Sequence, residues 1–238
     1  MSSLSHPNSS QRPHTTLILA MSADGKIADV EQSSARFGSQ NDKSHLETQI
    51  AEADAVLFGA GTLRAYGTTL RLHNPLLLKK RQQQGKPSQP VHIVCSGSAE
   101  LDPQLFFFRQ PIPRWLLTTD QGASRWQHGA EFEQIITFSP QTDWVWAEIM
   151  QQFCQRGIHR LAVTGGGQLV ADLLAEDLID EFWLTVCPLI LGGASAPTPV
   201  MGTGFLERGA PRLELLSVQV IEQEVFLHYR RNRADPLK

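Results

Sequence analysis

The segment Leu161 to Leu174, LAVTGGGQLVADLL, constrains the fold most. It reads as a short buried strand, three glycines, and a helix with Leu169, Val170, Leu173 and Leu174 facing inward. Glycine lets a backbone come close to a ligand and take conformations that other residues resist. The helix start that follows offers unpaired N–H groups and the positive end of a dipole, a place for a dinucleotide phosphate. The competing reading is a tight strand-to-helix turn, and for a lone triplet the two are evenly matched. The run matches neither GxGxxG nor the P-loop, so it supports neither a standard Rossmann fold nor an NTPase.

The same strand-turn-helix grammar recurs along the chain. Strands are expected at Thr15–Met21, Ala55–Phe58, Val91–Cys95, Trp115–Thr119, Gln134–Phe138, Arg160–Val163 and Glu181–Cys187, with a closing hairpin of Leu213–Ile221 and Val225–Arg230. Ser39 or Asn41 caps a helix that runs to about Ala53. Val145, Ile149 and Phe153 give the segment from Thr142 to Arg156 one apolar stripe, and Gly157 stops it. Arg71 to Pro90, polar and basic with three prolines, reads as a surface excursion. Such alternation predicts an α/β sheet with helices on both faces. One domain is expected over residues 15–230, between a disordered tail at 1–14 and a frayed one at 231–238.

Composition narrows the function classes. A net charge of −3 over 238 residues offers no electrostatic case for nucleic acid. The three cysteines form no CxxC, and the eight histidines form no HExxH or HxH, which argues for reduced thiols in a cytoplasm and against a metal. The first residues lack the apolar stretch of a signal peptide, and no run approaches a membrane span.

Three more segments carry chemistry. Gly59-Ala60-Gly61-Thr62 is a second glycine turn at a strand's carboxyl end, where open α/β sheets bind ligands; alone, Thr62 would read as a helix cap. Ala20 to Ala28, AMSADGKIA, gathers the Ser22 hydroxyl, the Asp24 carboxylate and the Lys26 ammonium, suited to a phosphorylated substrate; an isolated DGK would be an Asp-Gly turn with a solvated lysine. Asp180 and Glu181 are paired carboxylates, but neighbours in a strand point to opposite faces, so at least one is structural.

Taken in order, AMSADGKIA, ADAVLFGAGTLRA, VHIVCSGS and TGGGQLVADLLAEDLIDEFWLTVCPLILGG resemble the riboflavin-biosynthesis pyrimidine reductases, the family of the RibD C-terminal domain. The resemblance runs from about Thr15 to Arg230. It implies a dihydrofolate-reductase-like fold, a mostly parallel sheet with helices on both faces and an antiparallel C-terminal hairpin. It implies NADPH as cofactor, a phosphorylated pyrimidine as small-molecule substrate, a homodimer, and no nucleic-acid or membrane partner. The implied reaction opens the ribose of a phosphoribosylamino-pyrimidine and reduces C1′ to a ribityl chain.

By position, the resemblance assigns Ala20, Gly59, Gly61, Thr62, Ser96, Gly165, Gly166, Gly167, Gln168 and Leu169 to the cofactor. It assigns Ser22, Asp24, Lys26, Ser34, Arg71 and Thr164 to the substrate side, with Asp24 and Lys26 as the candidates for a catalytic role. Ser96 and Ser98, with nearby basic residues and no acid immediately after VHIVC, suit a 2′-phosphate. The chain departs from the family pattern at Thr164, where an acidic residue is frequent, and at Tyr66-Gly67-Thr68, where Asp-Asn-Pro is common. Those departures keep open a reductase of a pterin or another metabolite on the same fold. A non-catalytic nucleotide-binding protein is the third reading. The PCxxC motif of a zinc deaminase is absent, so His45-Leu46-Glu47, which has the HxE form, stands without its partner motif.

Overall fold

Leu17, Leu19, Leu57, Ile93, Leu117, Ile136, Val163 and Phe182 share one buried cluster, while Ile18, Val56, Phe58, Val94, Leu116 and Ala162 share another. Alternate positions on each strand therefore enter opposite cores, which is why these strands read as continuous apolar runs. The computed structural model describes residues 12–138 and 145–233.

The strands are β1 (His14–Ser22), β2 (Ala55–Gly59), β3 (Val91–Cys95), β4 (Arg114–Thr119), β5 (Gln134–Phe138), β6 (Arg160–Val163), β7 (Glu181–Cys187), β8 (Leu213–Ile221) and β9 (Glu224–Arg231). They form one nine-stranded sheet in the order β5-β4-β3-β2-β6-β1-β7-β9-β8. All pairings are parallel except those of β9, which runs antiparallel to β7 and β8. The expected α/β class, mostly parallel sheet and closing hairpin are thus present.

The helices are α1 (Gln40–Glu52), α2 (Ala60–Tyr66), α3 (Pro75–Gln83), α4 (Asp120–Ala123), α5 (Trp146–Gln155) and α6 (Gly167–Ala175). Residues of α5 and α6 fill the first cluster, and residues of α1 and α2 fill the second, so helices cover both faces. Ser39 is the cap of α1, its Oγ accepting from Asn41 N and Asp42 N. The expected start of the fifth helix at Thr142 lies outside the described residues.

Two expectations change. The Arg71–Pro90 excursion contains α3, started by an Asn74 cap and Pro75 in the first turn. Its Arg81 is buried, and the guanidinium donates to Ala51 O at 2.9 Å, Ala53 O at 2.6 Å and Pro87 O at 2.8 Å. A basic residue here satisfies carbonyls left free at the end of α1.

Residues 12–14 and 231–233, at the borders of the expected tails, are held by specific contacts. Arg12 donates to both carboxylate oxygens of Asp180, at 2.8 and 2.6 Å, and β1 already begins at His14. Arg233 reaches Asp180 at 2.8 Å and Asp177 at 2.8 Å, and Arg231 reaches Asp177 at 2.7 Å. Residues 1–11 and 234–238 of the expected tails lie outside the described residues. Asp180 is structural, since it also accepts Thr15 N at 2.8 Å, while Glu181 accepts from His228 at 3.2 Å.

Candidate functional site

The strand order inserts β6 between β2 and β1, so the carboxyl ends of three parallel strands meet where the winding direction changes. Crevices of open α/β sheets form at such points. Both glycine turns are there and they touch. Gly59 N donates to Gly165 O at 3.2 Å, and Thr164 N continues the ladder to Leu57 O at 3.1 Å. Gly165 and Gly166 have φ of 149° and 91°, conformations that only glycine adopts at little cost. A Cβ on Gly165 would come within 3.0 Å of Thr62 Oγ1, so Thr62 faces the triplet across the turn.

The start of α6 has no side-chain cap, because its N-cap is Gly166. Its first-turn N–H groups therefore have no side chain to receive them. Gly61, in the first turn of α2, borders open space. Gly167 differs: a Cβ there would lie 2.4 Å from Thr198 O, and Met201 N donates to Gly167 O at 3.0 Å. Its small size makes room for the chain's own 198–201 segment, a packing reason for glycine that is separate from ligand approach. The Leu169 side chain belongs to the core and Gln168 Nε2 donates to Asp172 at 2.8 Å, which leaves their backbones for a ligand.

The AMSADGKIA turn is built differently from its sequence reading. Ser22 is fully buried, donates to Asp24 Oδ1 at 2.6 Å and accepts Lys26 N at 2.9 Å, so it shapes the turn and has no face for substrate. Asp24 accepts also from Leu191 N at 3.1 Å and Gly192 N at 2.7 Å. The Ser22 hydroxyl first, and those amides with it, hold its pKa down to about 2. A carboxylate so held stays ionised and anchors the 191–192 loop, so any catalytic part it plays is as a charge. Lys26 Nζ is not paired with Asp24 but reaches Ala196 O at 3.3 Å.

Of the remaining candidates, Ser96 is buried and its Oγ accepts Ala99 N at 3.1 Å, so it shapes the turn after β3. Exposed Ser98 lies two residues on, and Arg64 of α2 approaches the same turn at Glu100 O, 3.5 Å. Ala20 is half-buried near the end of β1, in register with Thr185 of β7. Ser34 lies on the loop before α1, which Tyr66 ties to α2 through Ala35 O at 2.7 Å. Arg71 follows α2 with its guanidinium 3.2 Å from His73 Nδ1, and no hydrogen bond among the described residues brings it to the Asp24 turn. Thr164 is half-buried at the end of β6.

Sequence reading missed a polar group beside Ala20. Asp42, in the first turn of α1, lies near Thr185, and Tyr66 and Glu224 are near enough to feel its charge. Burial, with Glu224 adding to it, raises the Asp42 pKa, against the effect of Thr185. The available signal was an acid three residues after a Ser cap, which reads as an ordinary capping box.

A family model described as "RibD C-terminal domain" matches residues 13–227. A 2,5-diamino-6-ribosylamino-4(3H)-pyrimidinone 5′-phosphate reductase of Archaeoglobus fulgidus is 28% identical over 200 residues, covering 83% of this chain and 90% of its own. One of the same name from Methanothermobacter thermautotrophicus is 27% identical, covering 92% and 98%. Among solved structures, a pyrimidine reductase-like protein from Corynebacterium diphtheriae superposes with a TM-score of 0.77 at 20% identity, over 94% of both chains. That likeness speaks for the fold.

Proposed function

Because the chain belongs to the RibD C-terminal domain family, we propose that it is a riboflavin-pathway oxidoreductase that reduces the ribosyl group of a phosphoribosylamino-pyrimidine with NADPH. The observation that carries the reading is the joined pair of glycine turns at the switch point of the sheet. Two reductases similar to the chain over 90% and 98% of their lengths supply the substrate class.

The residues fit a dinucleotide. The uncapped start of α6 and the open face of Gly61 provide N–H groups and close approach for a pyrophosphate. Arg64 and Ser98 beside the turn after β3 suit the 2′-phosphate of NADPH. When bound, the reduced nicotinamide supplies a hydride. The chain's own part is to hold and orient the reactants: Lys26 and Arg71 meet substrate phosphate, and Ala20 leaves room beside β1. Among the described residues no helix is long and apolar enough to cross a membrane, and we place the protein in the cytoplasm. We assign it as a homodimer, in which a second copy covers the outer strand β8 and its exposed Leu215, Val218 and Val220.

The test is NADPH oxidation against a panel of phosphoribosylamino-pyrimidines and dihydropterins, with NADPH and NADH binding titrated by fluorescence. Turnover of a phosphorylated pyrimidine and tighter NADPH binding are expected. Turnover of dihydropterins alone, or NADH bound equally well, overturns the corresponding half of the assignment.

A further inference from the structure

Resting on the reading just given, we propose that Asp42 is the proton donor of the reaction, delivering a proton to the ring oxygen as the sugar opens. The position of its carboxyl group carries the argument. An acid three residues after a Ser cap ordinarily turns back to accept the cap's own backbone N–H. Here that amide is taken. Ser39 N donates to Glu224 Oε1 at 2.8 Å and Ser39 Oγ donates to Glu224 Oε2 at 2.5 Å. Glu224 is buried at the start of β9, behind α1.

Relieved of the cap, the Asp42 carboxyl lies near Thr185, which is in register with Ala20 in the sheet. It stays half-exposed at the sheet's carboxyl edge, so a proton can be replaced from solvent. Gly38 packs so closely that a Cβ there would lie 2.3 Å from Asp42 Oδ2. Any other residue at position 38 would push the carboxyl group aside.

The surroundings keep it protonated longer than an ordinary aspartate. Burial and then the Glu224 charge oppose ionisation, while Thr185 favours it. The other titratable groups facing this space are Cys187 of β7, Tyr66 of α2, Arg36 of the preceding loop and His45 one turn along α1. The Cys187 thiol is pushed up to about 12 by burial and by the two carboxylates, and Tyr66 is raised by burial, so both stay neutral. The other acid near the substrate side, Asp24, is ionised and tied to its loop.

The step balances. The amine lone pair forms C1′=N as the C1′–O4′ bond breaks, and O4′ takes the proton from Asp42. Reduced nicotinamide held at the glycine turns would supply the hydride for C1′, and the electron pair would return to nitrogen. Asp42 regains its proton from water, so the sum is one hydride and one proton.

The test compares the unaltered protein with Asp42→Asn and Asp42→Glu. In the protein without cofactor, carbon NMR is expected to show the Asp42 carboxyl titrating above an ordinary aspartate, and Glu224→Gln to bring it down. In turnover, Asp42→Asn is expected to lower kcat by about 100-fold or more. It should abolish the fall of kcat with rising pH, with KM and the NADPH Kd changed less than about 2-fold. Asp42→Glu should restore part of the pH limb. An Asp42 carboxyl that titrates below the ordinary range, or Asp42→Asn with unchanged kcat and pH profile, overturns the proposal and leaves the functional reading standing. An unaltered protein that reduces no phosphoribosylamino-pyrimidine overturns the reading and this role together.

Discussion

Gly59 donates its amide to the carbonyl of Gly165 at 3.2 Å, so two turns 106 positions apart form one wall of a single crevice. A Cβ on Gly166 would sit 3.6 Å from Gly59, an ordinary contact, and one on Gly61 would meet nothing within 4 Å. Space is thus available at both places, and what a side chain would displace is ligand.

That contrast separates binding from stability. Gly61→Ala, in the first turn of α2, is expected to stabilise the fold by about 0.5–1 kcal/mol while weakening NADPH binding about 10-fold. Gly166→Val should weaken binding as well but cost about 1–3 kcal/mol, because valine does not tolerate its φ of 91°. Urea unfolding and fluorescence titration measure the two effects. Unchanged NADPH affinity in both variants would make these glycines purely structural.

Lys26→Ala should raise the Michaelis constant or lower turnover by about 10-fold, since one charged hydrogen bond is worth roughly 1.5–3 kcal/mol. The fold should lose little, because the ammonium's recorded partner is a single carbonyl, Ala196 O at 3.3 Å. NADPH affinity should stay within about 2-fold of the unaltered protein. Loss of NADPH binding would instead place the Asp24 turn on the cofactor side.

Asp24 gives the site an acid limit. Its folded pKa, about 2, lies below the ordinary value of 3.8, so its hold on the loop is complete above about pH 4 and lost as pH falls through about 2. The amide resonances of Leu191 and Gly192 should report this as a shared titration near pH 2. Asp24→Asn should remove it, and a titration that persists in the variant would assign it to another group.

Asp180 joins the two ends of the described chain, binding Arg12 and Arg233 at 2.6 and 2.8 Å. Asp180→Ala strands two guanidinium groups and the Thr15 amide, and should cost about 3 kcal/mol. Its folded pKa is lowered, chiefly by the Arg12 hydrogen bond acting against burial. This contribution is present above the ordinary carboxylate range and lost on acidification. A midpoint in urea that does not move would show the clasp to be inert.

The sequence by itself determined the elements whose evidence is local. Apolar β-branched runs specify strands, glycines at their ends specify turns, and the 3.6-residue stripe of α5 specifies its buried face. From these the parallel sheet, the closing hairpin and the two glycine turns were legible. Arg71–Pro90 was misread because the partners of buried Arg81 are carbonyls of α1, distant in the chain. The anchoring of Arg12 and Arg233 was not legible because Asp180 collects both of them only after folding. Ser22, Ser96 and Gly167 have residue types suited to ligand contact, and the fold also uses each of them for its own turns and packing. Asp42 is the converse: its helix position reads as a cap, and only Glu224, reaching Ser39 from 185 positions away, releases it toward Thr185. Propensity and periodicity act between neighbours. Which polar groups are satisfied inside the fold, and which remain for a ligand, is decided by pairings between distant segments that only the tertiary structure brings together.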